Sequence, residues 1–327
     1  MKIAYIPNQP HCYSFGGFEV QMLAAYDAAR SAGADIELLN PWNRNSDFDI
    51  VHIWGFEITQ YNNIVFSKKA NKKVIISALI HDLSDVKARL RFLVSSFIYK
   101  QKILKELIPY IDCFVTVNEI EKAHIVKYYN FPASKIKVIP NIVTDTYLKN
   151  TAPLVDLGID DFVLCVGNLS ERKNQLTLVK ACNELGWNVL LIGNMIEGEE
   201  KYSEAVRLEL KKNPSNKWIS GVKENSGVLM TAYKKCRLFA LISYRESQPI
   251  SVLEALGMNC KVLLADRAYA HQPFYKNADL VDPADIGAIK DALIKVHQKQ
   301  KGVPFDISAC TKENVGKLYA DLYNEIR

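Results

Sequence analysis

The sequence predicts an α/β protein with two doubly wound parallel-sheet domains, one in each half of the chain. Short apolar runs rich in Val and Ile alternate with amphipathic segments throughout, which is typical of parallel strands buried on both faces and joined by helices. The runs form two series of six, as two doubly wound sheets require. A length of 327 residues also suits two domains.

Each half supplies its own elements. In the first half, strands are predicted near 2–6, 35–39, 50–54, 73–80, 113–117 and 135–140, and helices near 17–32, 57–69, 85–108 and 118–129. In the second half, strands are predicted near 161–166, 188–192, 217–220, 237–243, 261–265 and 279–282, and helices near 174–186, 200–212, 226–235, 250–258, 284–299 and 312–326.

The two halves meet in a segment with little periodicity, near 141–158. It contains Asn150 and Pro153, and this composition is typical of a linker. The predicted parts are an N-terminal domain over 1–150, a C-terminal domain over 151–310, and a terminal helix within 311–327 that packs back on the N-terminal domain.

The composition is that of a globular protein, with 49% hydrophobic and 24% charged residues. A net charge of +5 is mildly basic, and no basic run is interleaved with aromatic residues, so we predict no nucleic-acid partner. No signal peptide and no apolar stretch of about 18 residues is evident. The seven cysteines include no Cys-x-x-Cys pair, which indicates reduced thiols and a cytoplasmic location.

The loop after the first strand carries two adjacent glycines, Gly16 and Gly17, directly before a predicted helix. Glycine lets the backbone approach a ligand closely, and the N–H groups at a helix N-terminus attract anions. The spaced third glycine of a dinucleotide-binding fingerprint is missing. Anion binding and a flexible loop are therefore both open interpretations of this segment.

A second polar cluster opens the C-terminal domain. The strand ending at Val166 is followed by Gly167 and Asn168, and then by Arg172 and Lys173. Cations between a strand end and a helix N-terminus can hold a diphosphate group. A solvated charged turn is the alternative interpretation.

The most informative segment contains two glutamates, Glu246 and Glu254, which are separated by seven residues. This spacing places Glu246 in the loop after a strand and Glu254 one or two turns into the next helix, with Pro249 in the first helical turn. Carboxylates accept pairs of hydrogen bonds from sugar hydroxyls, so we expect both to face a ligand. Alternatively, Glu246 caps the helix and Glu254 lies on its surface.

Together these three segments resemble family 4 glycosyltransferases, retaining enzymes of the GT-B fold in which two Rossmann-like domains face a central cleft. That family shows a Gly-Gly loop near its N-terminus, a glycine- and lysine-containing turn opening the second domain, and a Glu-x7-Glu signature. Here the signature begins Glu246-Ser247-Gln248-Pro249 and ends Glu254-Ala255. The segments 138–141 and 278–283 resemble the family's hinge and its late Asp-Pro segment.

The resemblance implies a role for each matched residue. Glu246 would contact hydroxyls of the transferred sugar, Lys173 would stabilise the leaving diphosphate, and His81 would lie beside the donor sugar. Glu254 would contact the ribose of the nucleotide. The implied donor-binding residues are Gly16, Gly17, Gly167, Asn168, Arg172, Ser247, Gln248, Pro249, Ile250, Ser251 and Glu254.

The implied reaction is the transfer of a sugar, with retained anomeric configuration, from a nucleotide sugar to a carbohydrate or lipid-linked acceptor. A UDP- or GDP-sugar is the expected donor, and the N-terminal domain would bind the acceptor. No metal or other cofactor is implied. The leaving phosphate would help to deprotonate the attacking hydroxyl, while the protein stabilises the charge of the departing diphosphate.

The sequence departs from the family pattern at two of the positions considered, and one of them favours another function. Asn259 stands where a turn glycine is usual, and asparagine tolerates the positive φ that such a turn needs. Asn168 stands where the family usually has an arginine, which favours a catalytically silent GT-B domain that binds a sugar nucleotide or a partner protein. Another GT-B enzyme, such as a nucleotide-sugar epimerase, is a further alternative, against which Glu-x7-Glu argues.

Three other signals have plainer interpretations. Asp47-Phe48-Asp49 matches the Asp-x-Asp of metal-dependent glycosyltransferases but precedes a strand, so we predict a loop or capping role and no metal. His52, inside a strand, is expected to lie in the core or to line the site. The helix over 85–108 combines basic and apolar residues, which predicts either peripheral contact with an anionic membrane or a domain helix with a basic solvent face.

Overall fold

The computed structural model describes residues 1–13, 15–45, 47–79, 99–300 and 304–326. The chain forms two compact units: unit 1 is Met1–Ile142 with Ser308–Arg327, and unit 2 is Val143–Ile307. Each unit is built around a six-stranded sheet in which the strand pairings are parallel. The predicted fold class, with two parallel sheets flanked by helices, is confirmed.

Unit 1 has the strand order β2-β1-β3-β4-β5-β6. Its strands are β1 (Lys2–Ile6), β2 (Asp35–Leu38), β3 (Ile50–Trp54), β4 (Lys73–Ser77), β5 (Cys113–Thr116) and β6 (Ile136–Val138). Its described helices are α1 (Gly17–Ser31), α2 (Tyr61–Lys69), α3 (Tyr99–Leu107), α4 (Glu119–Tyr129) and, from the end of the chain, α11 (Lys312–Ile326).

The core of unit 1 has two layers because successive strand residues face opposite sides of a sheet. Ile3 and Tyr5 of β1 belong to the layer that includes residues of α1 and α11. Val51 and Ile53 of β3 belong to the other layer, which includes residues of α2, α3 and α4. Helix α11 packs directly against α1, so the last helix is part of the core of unit 1.

Unit 2 has the strand order β12-β11-β10-β7-β8-β9. Its strands are β7 (Phe162–Val166), β8 (Asn188–Ile192), β9 (Lys217–Ile219), β10 (Leu238–Leu241), β11 (Val262–Ala265) and β12 (Asp279–Val281). Its described helices are α5 (Asp145–Lys149), α6 (Gln175–Glu184), α7 (Glu200–Leu210), α8 (Gly227–Lys235), α9 (Ile250–Gly257) and α10 (Ile286–Gln298).

Some elements begin or end at residues other than those predicted. One reason is that a buried apolar run can continue past the last hydrogen-bonded residue of a strand. Strand β10 ends at Leu241, although a strand is predicted to residue 243, because the buried residues Ile242 and Ser243 already belong to the following loop. The helix predicted near 57–69 opens as a 3₁₀ turn, Ile58–Gln60, before α2, a common way for a helix to begin. Asn259 adopts a φ of 53°, as predicted for that turn.

Candidate active site

The strand order of unit 2 reverses between β7 and β10, which pair in parallel from Val163 and Leu238 onward. In a doubly wound sheet, ligands bind at such a point, beyond the carboxyl ends of the strands. The loop after β7 covers 167–174 and the loop after β10 covers 242–249. Most of the predicted site residues lie on these two loops or in the helix after the second one.

A carboxylate and two cations join the two loops. Lys173 Nζ lies 2.7 Å from Glu246 Oε1, and Arg172 Nη1 lies 3.0 Å from Glu246 Oε2. Arg172 also donates to the carbonyl oxygen of Arg245, and its own carbonyl accepts the Tyr244 amide at 2.9 Å. The side chains of Lys173 and Glu246 are only 13% and 10% exposed, so water screens this pair weakly.

The charges of this cluster do not cancel. Burial raises the pKa of the Glu246 carboxyl, but Lys173 and Arg172 outweigh that effect and hold the pKa below its ordinary value. The carboxylate is therefore ionised at neutral pH. Two cations facing one anion leave an excess positive charge at the carboxyl ends of β7 and β10.

The backbone of the β7 loop is shaped to carry Lys173. Gly167 has a φ of 148°, and a Cβ on it would lie 3.0 Å from Lys173 Cε, so a glycine lets the lysine side chain cross the loop. A 3₁₀ turn over Glu171–Lys173 follows. Asn174 ends that turn with a φ of 58°, and its side chain donates to the Pro283 carbonyl at 2.8 Å. Helix α6 then begins.

Sequence patterns did not point to the loop after β8, which packs on the β7 loop. Asn168 Oδ1 accepts the Asn194 amide at 3.0 Å, and the Leu169 amide donates to the Asn194 carbonyl at 2.9 Å. A Cβ on Gly193 would lie 2.2 Å from the carbonyl oxygen of Gly167, so this approach requires glycine. The signal that could have identified this loop is the pair Gly193-Asn194, which directly follows the buried strand β8.

Glu254 lies on α9 and is partly buried, so it is not the surface residue of the alternative interpretation. The hydroxyl of Tyr233, on α8, donates to Glu254 Oε2 at 2.7 Å. Burial raises the pKa of Glu254 to about 7, against smaller lowering effects of the Tyr233 and Tyr147 hydroxyls. Tyr147 is itself buried, and the proximity of Glu254 adds to the raised pKa of its hydroxyl.

Helix α9 begins directly after Pro249, so its first turn carries amide groups that a helix leaves without intrahelical partners. The turn before it is fixed by Gln272, whose Nε2 donates to the Ser247 carbonyl at 2.7 Å. Gln248 Nε2 in turn donates to Gln272 Oε1 at 3.3 Å. The predicted donor-binding residues in this turn and the start of α9 are Ser247, Gln248, Pro249, Ile250 and Ser251.

In unit 1, α1 begins at Gly17, and Gly16 precedes it with an extended backbone. The Gly16 amide donates to Glu19 Oε2 at 2.9 Å. The side chain of Glu19 therefore caps the helix N-terminus at which an anion was predicted. The predicted site residue His81 lies outside the described residues.

The Asp-x-Asp segment ties the start of β1 to the residues before β3. Asp47 Oδ2 lies 2.8 Å from Lys2 Nζ, and Asp49 Oδ2 accepts the Lys2 amide at 2.9 Å. Among the described residues, no three His, Cys, Asp or Glu side chains are placed to hold one metal ion. The two contacts with Lys2 give both aspartates the loop role that their position predicts.

His52 is fully buried in the sheet of unit 1. Its Nδ1 lies 2.8 Å from the Tyr323 hydroxyl of α11, and its Nε2 lies 2.8 Å from the Ser77 hydroxyl. Burial lowers the pKa of His52 to about 3, so the ring is neutral in the folded protein. The Tyr323 and Tyr5 hydroxyls are 2.6 Å apart. The predicted core position is confirmed, and the histidine links α11 to the sheet.

Helix α3 is the described end of the helix predicted over 85–108. It buries Leu104 and Leu107 and exposes Lys100, Lys102 and Lys105. The earlier part of the predicted helix lies outside the described residues. No helix in the described ranges is long and apolar enough to cross a membrane.

Two family models match successive parts of the chain. The model of Glycosyltransferase Family 4 matches residues 15–146, and the model of Glycosyl transferases group 1 matches residues 157–304. No curated protein sequence gives a significant match.

Solved structures with the same fold cover nearly the whole chain. The lipopolysaccharide outer core galactosyltransferase WaaB, in its apo form, is 17% identical, with a TM-score of 0.68 over 99% of each chain. HepE from Anabaena, in complex with UDP and glucose, is 14% identical, with a TM-score of 0.67 over 99% of each chain. UDP-GlcNAc 2-epimerase from Methanocaldococcus jannaschii is 13% identical, with a TM-score of 0.60 over 99% of this chain and 100% of its own.

The solved structures agree on the fold, and the family models agree on the family. Two parallel-sheet units, with a cation–carboxylate cluster at the carboxyl ends of the second sheet, define an α/β protein of the GT-B fold. The two family models, which together account for most of the sequence, identify the family. The chain belongs to the group 1, family 4 glycosyltransferases and is a glycosyltransferase.

Proposed function

We propose that this enzyme moves a sugar from a nucleotide-sugar donor to a glycan or glycolipid acceptor, with retained anomeric configuration and without a metal ion. The observation that carries the proposal is the excess positive charge around Glu246, whose carboxylate contacts both Arg172 and Lys173. A nucleotide sugar carries a diphosphate, and two cations beside a helix N-terminus suit such an anion.

The proposed donor is a UDP- or GDP-sugar. HepE, which shares the fold, was solved with UDP and glucose, and this supports a uridine nucleotide. The diphosphate would bind between the two cations and the first turn of α9. Gly167 keeps the space beside Lys173 free of a Cβ, so the lysine can turn from Glu246 toward the phosphate.

The two glutamates would hold the rest of the donor. Once the diphosphate shares the cations, Glu246 can accept hydrogen bonds from hydroxyls of the transferred sugar. Glu254 is proposed to bind the ribose. Its pKa of about 7 means that both protonation states are populated at neutral pH, and a carboxyl group in either state can hydrogen-bond to a hydroxyl.

The chemistry breaks the bond between the anomeric carbon and the diphosphate oxygen, and forms a bond to the acceptor oxygen on the same face. The acceptor proton would pass to the leaving phosphate, as the family resemblance implies. Lys173 and Arg172 stabilise the negative charge that develops on the departing diphosphate. One such preorganised cation contributes on the order of 3 kcal/mol, or roughly 100-fold in rate.

A panel of nucleotide sugars, with wild type compared against Lys173→Met, tests this proposal. We expect one nucleotide class to raise the melting temperature of the wild type, and donor hydrolysis without acceptor to fall about 100-fold or more in the variant. Lys180→Met, an exposed lysine on α6, is the matched control. Donor hydrolysis that survives unchanged in Lys173→Met would remove the lysine from the mechanism.

Two further measurements address the finer claims. The anomeric configuration of the product, read by proton NMR coupling constants, should equal that of the donor; an inverted product contradicts retention. Turnover should be unchanged by EDTA, and a loss that added Mg²⁺ restores would contradict metal independence.

We propose a cytoplasmic enzyme whose N-terminal unit receives a carbohydrate or lipid-linked acceptor at an anionic membrane surface. The fold shared with a lipopolysaccharide galactosyltransferase and the exposed Lys102 and Lys105 of α3 support this. Sedimentation with anionic phosphatidylglycerol vesicles, and not with neutral phosphatidylcholine vesicles, is the expected result. Equal recovery with both lipids would contradict it.

A further inference from the structure

Two thiols lie at the ends of the helices that carry the Glu254 site. Cys236 directly follows α8, and Cys260 is the third residue after α9. Their Sγ atoms are 3.9 Å apart, and the two cysteines are not joined by a disulfide. The pair therefore connects the C-terminal ends of two helices whose residues Tyr233 and Glu254 are already in contact.

Both thiols share one acceptor. The S–H groups of Cys236 and Cys260 donate to the carbonyl oxygen of Tyr233, at 3.3 and 3.2 Å. The hydroxyl of the same tyrosine donates to Glu254 at 2.7 Å. Tyr233 is only 2% exposed. A change at its backbone therefore moves its hydroxyl relative to Glu254, because tightly packed side chains have little room to compensate.

We propose that Cys236 and Cys260 form a reversible disulfide under hydrogen peroxide, and that this disulfide weakens donor binding at Glu254. The formation of the bond is independent of the proposed function, whereas its effect on the donor rests on that function. Cys236 is partly exposed and Cys260 is 6% exposed, so peroxide reaches Cys236 first and Cys260 acts as the resolving thiol.

Hydrogen peroxide is the oxidant, and it accepts the two electrons that the thiols lose. The Cys236 sulfur attacks one peroxide oxygen, giving a sulfenic acid and one water. The Cys260 sulfur then displaces the sulfenic hydroxyl, which leaves as a second water with the thiol proton. Two thiols lose two electrons and two protons, and one peroxide is reduced to two waters.

The new bond alters the contacts around Tyr233. Bonded sulfurs lie about 2.05 Å apart, so the two Sγ atoms must approach each other and draw the ends of α8 and α9 together. The Tyr233 carbonyl loses both S–H donors at the same time. We expect the Tyr233–Glu254 hydrogen bond to lengthen and the affinity for the nucleotide sugar to fall about tenfold.

The bond itself is tested by mass spectrometry of the full chain after peroxide treatment. The expected result is a mass lower by two hydrogens, a Cys236–Cys260 cross-linked peptide, and reversal by dithiothreitol. Cys12→Ser, which removes an exposed cysteine, should still form the link, whereas Cys236→Ser and Cys260→Ala should not. Oxidation of Cys236 to a sulfinic or sulfonic acid without the link would overturn the proposal.

The coupling is tested by the affinity for a UDP- or GDP-sugar before and after oxidation. A fall of about tenfold in the wild type, restored by dithiothreitol and absent in Cys236→Ser, is expected. A cross-link that leaves the affinity unchanged overturns the coupling. If the reduced wild type binds no nucleotide sugar, the proposed function fails, while the mass measurement still decides whether the disulfide forms.

Discussion

Lys173 and Glu246 form an ion pair that is largely shielded from water, with Lys173 Nζ 2.7 Å from Glu246 Oε1. Arg172 contacts the other carboxylate oxygen at 3.0 Å. Because the same cations are proposed to bind the donor diphosphate, Glu246 and the diphosphate compete for them. In this structure, the Glu246 carboxylate pairs with the two cations that the donor diphosphate is proposed to use.

Glu246→Gln should separate two roles of this glutamate, its pairing with the two cations and its proposed contact with the sugar hydroxyls. Removal of its charge releases the cations, so we expect UDP or GDP without a sugar to bind about tenfold more tightly by calorimetry. Sugar transfer should fall roughly 100-fold because the sugar hydroxyls lose a charged acceptor. Glu171→Gln, at an exposed position in the β7 loop beside Arg172 and Lys173, is the control. Weaker binding of the bare nucleotide would argue against competition.

Glu254→Gln should change how stability depends on pH. The folded pKa of Glu254, about 7, lies above its ordinary value of 4.5. The folded state therefore holds a proton that the unfolded state releases, and stability falls as the pH rises from about 4.5 through 7. Glutamine can accept the Tyr233 hydrogen bond without titrating. Urea denaturation should show that the free energy of unfolding falls less between pH 5 and pH 8 in the variant than in the wild type. Equal falls in both proteins would mean that Glu254 is not the group whose raised pKa causes the pH dependence.

Gly193→Ala should disrupt the site without touching a charged residue. Its Cβ would lie 2.2 Å from the Gly167 carbonyl oxygen, so the β7 and β8 loops must separate. We expect unfolding to become easier by about 3 kcal/mol, together with weaker nucleotide binding. Gly198→Ala is the matched control, since Gly198 also has a positive φ, 87°, but no neighbour within 4 Å of a Cβ. An equal fall in the free energy of unfolding in both variants would mean that the close approach of Gly193 to the Gly167 carbonyl does not matter for stability.

Tyr323→Phe should loosen α11 while sparing the donor site. The substitution leaves His52 Nδ1 and the Tyr5 hydroxyl without the shared partner that lies 2.8 and 2.6 Å from them. A buried polar group left unpaired costs about 1–3 kcal/mol, measured as a lower free energy of unfolding in urea. Tyr61→Phe, on a side chain 42% exposed, should cost almost nothing. An equally stable Tyr323→Phe would show that the network does not hold the helix.

The alternation of elements was predictable because strands buried on both faces leave uninterrupted apolar runs. β7 and β8 illustrate this, since each is a five-residue strand in which at least four side chains are apolar and a glycine follows directly. The ends were less predictable. Ile242 and Ser243 are as buried as the strand before them, and only the hydrogen bonds of the sheet decide where β10 stops.

The site was predictable in its parts but not in its connections. Lys173 and Glu246 were found because each follows a strand, whereas their contact depends on β10 lying beside β7. No local pattern encodes that neighbourhood. Tyr233 has the pattern of an ordinary core residue within a helix, and its contact with Glu254 depends on how two helices pack.

The adjacency of β7 and β10 also has a consequence for biogenesis. Lys173 and Glu246 are 73 residues apart along the chain, so the pocket cannot assemble until both strands and α9 have emerged from the ribosome. Contacts of such large sequence separation form slowly, since a long loop must close before they are made. A nascent chain that has emerged only as far as Ile142 would therefore lack both loops of the proposed donor site, and it would also lack α11, which completes the core of unit 1.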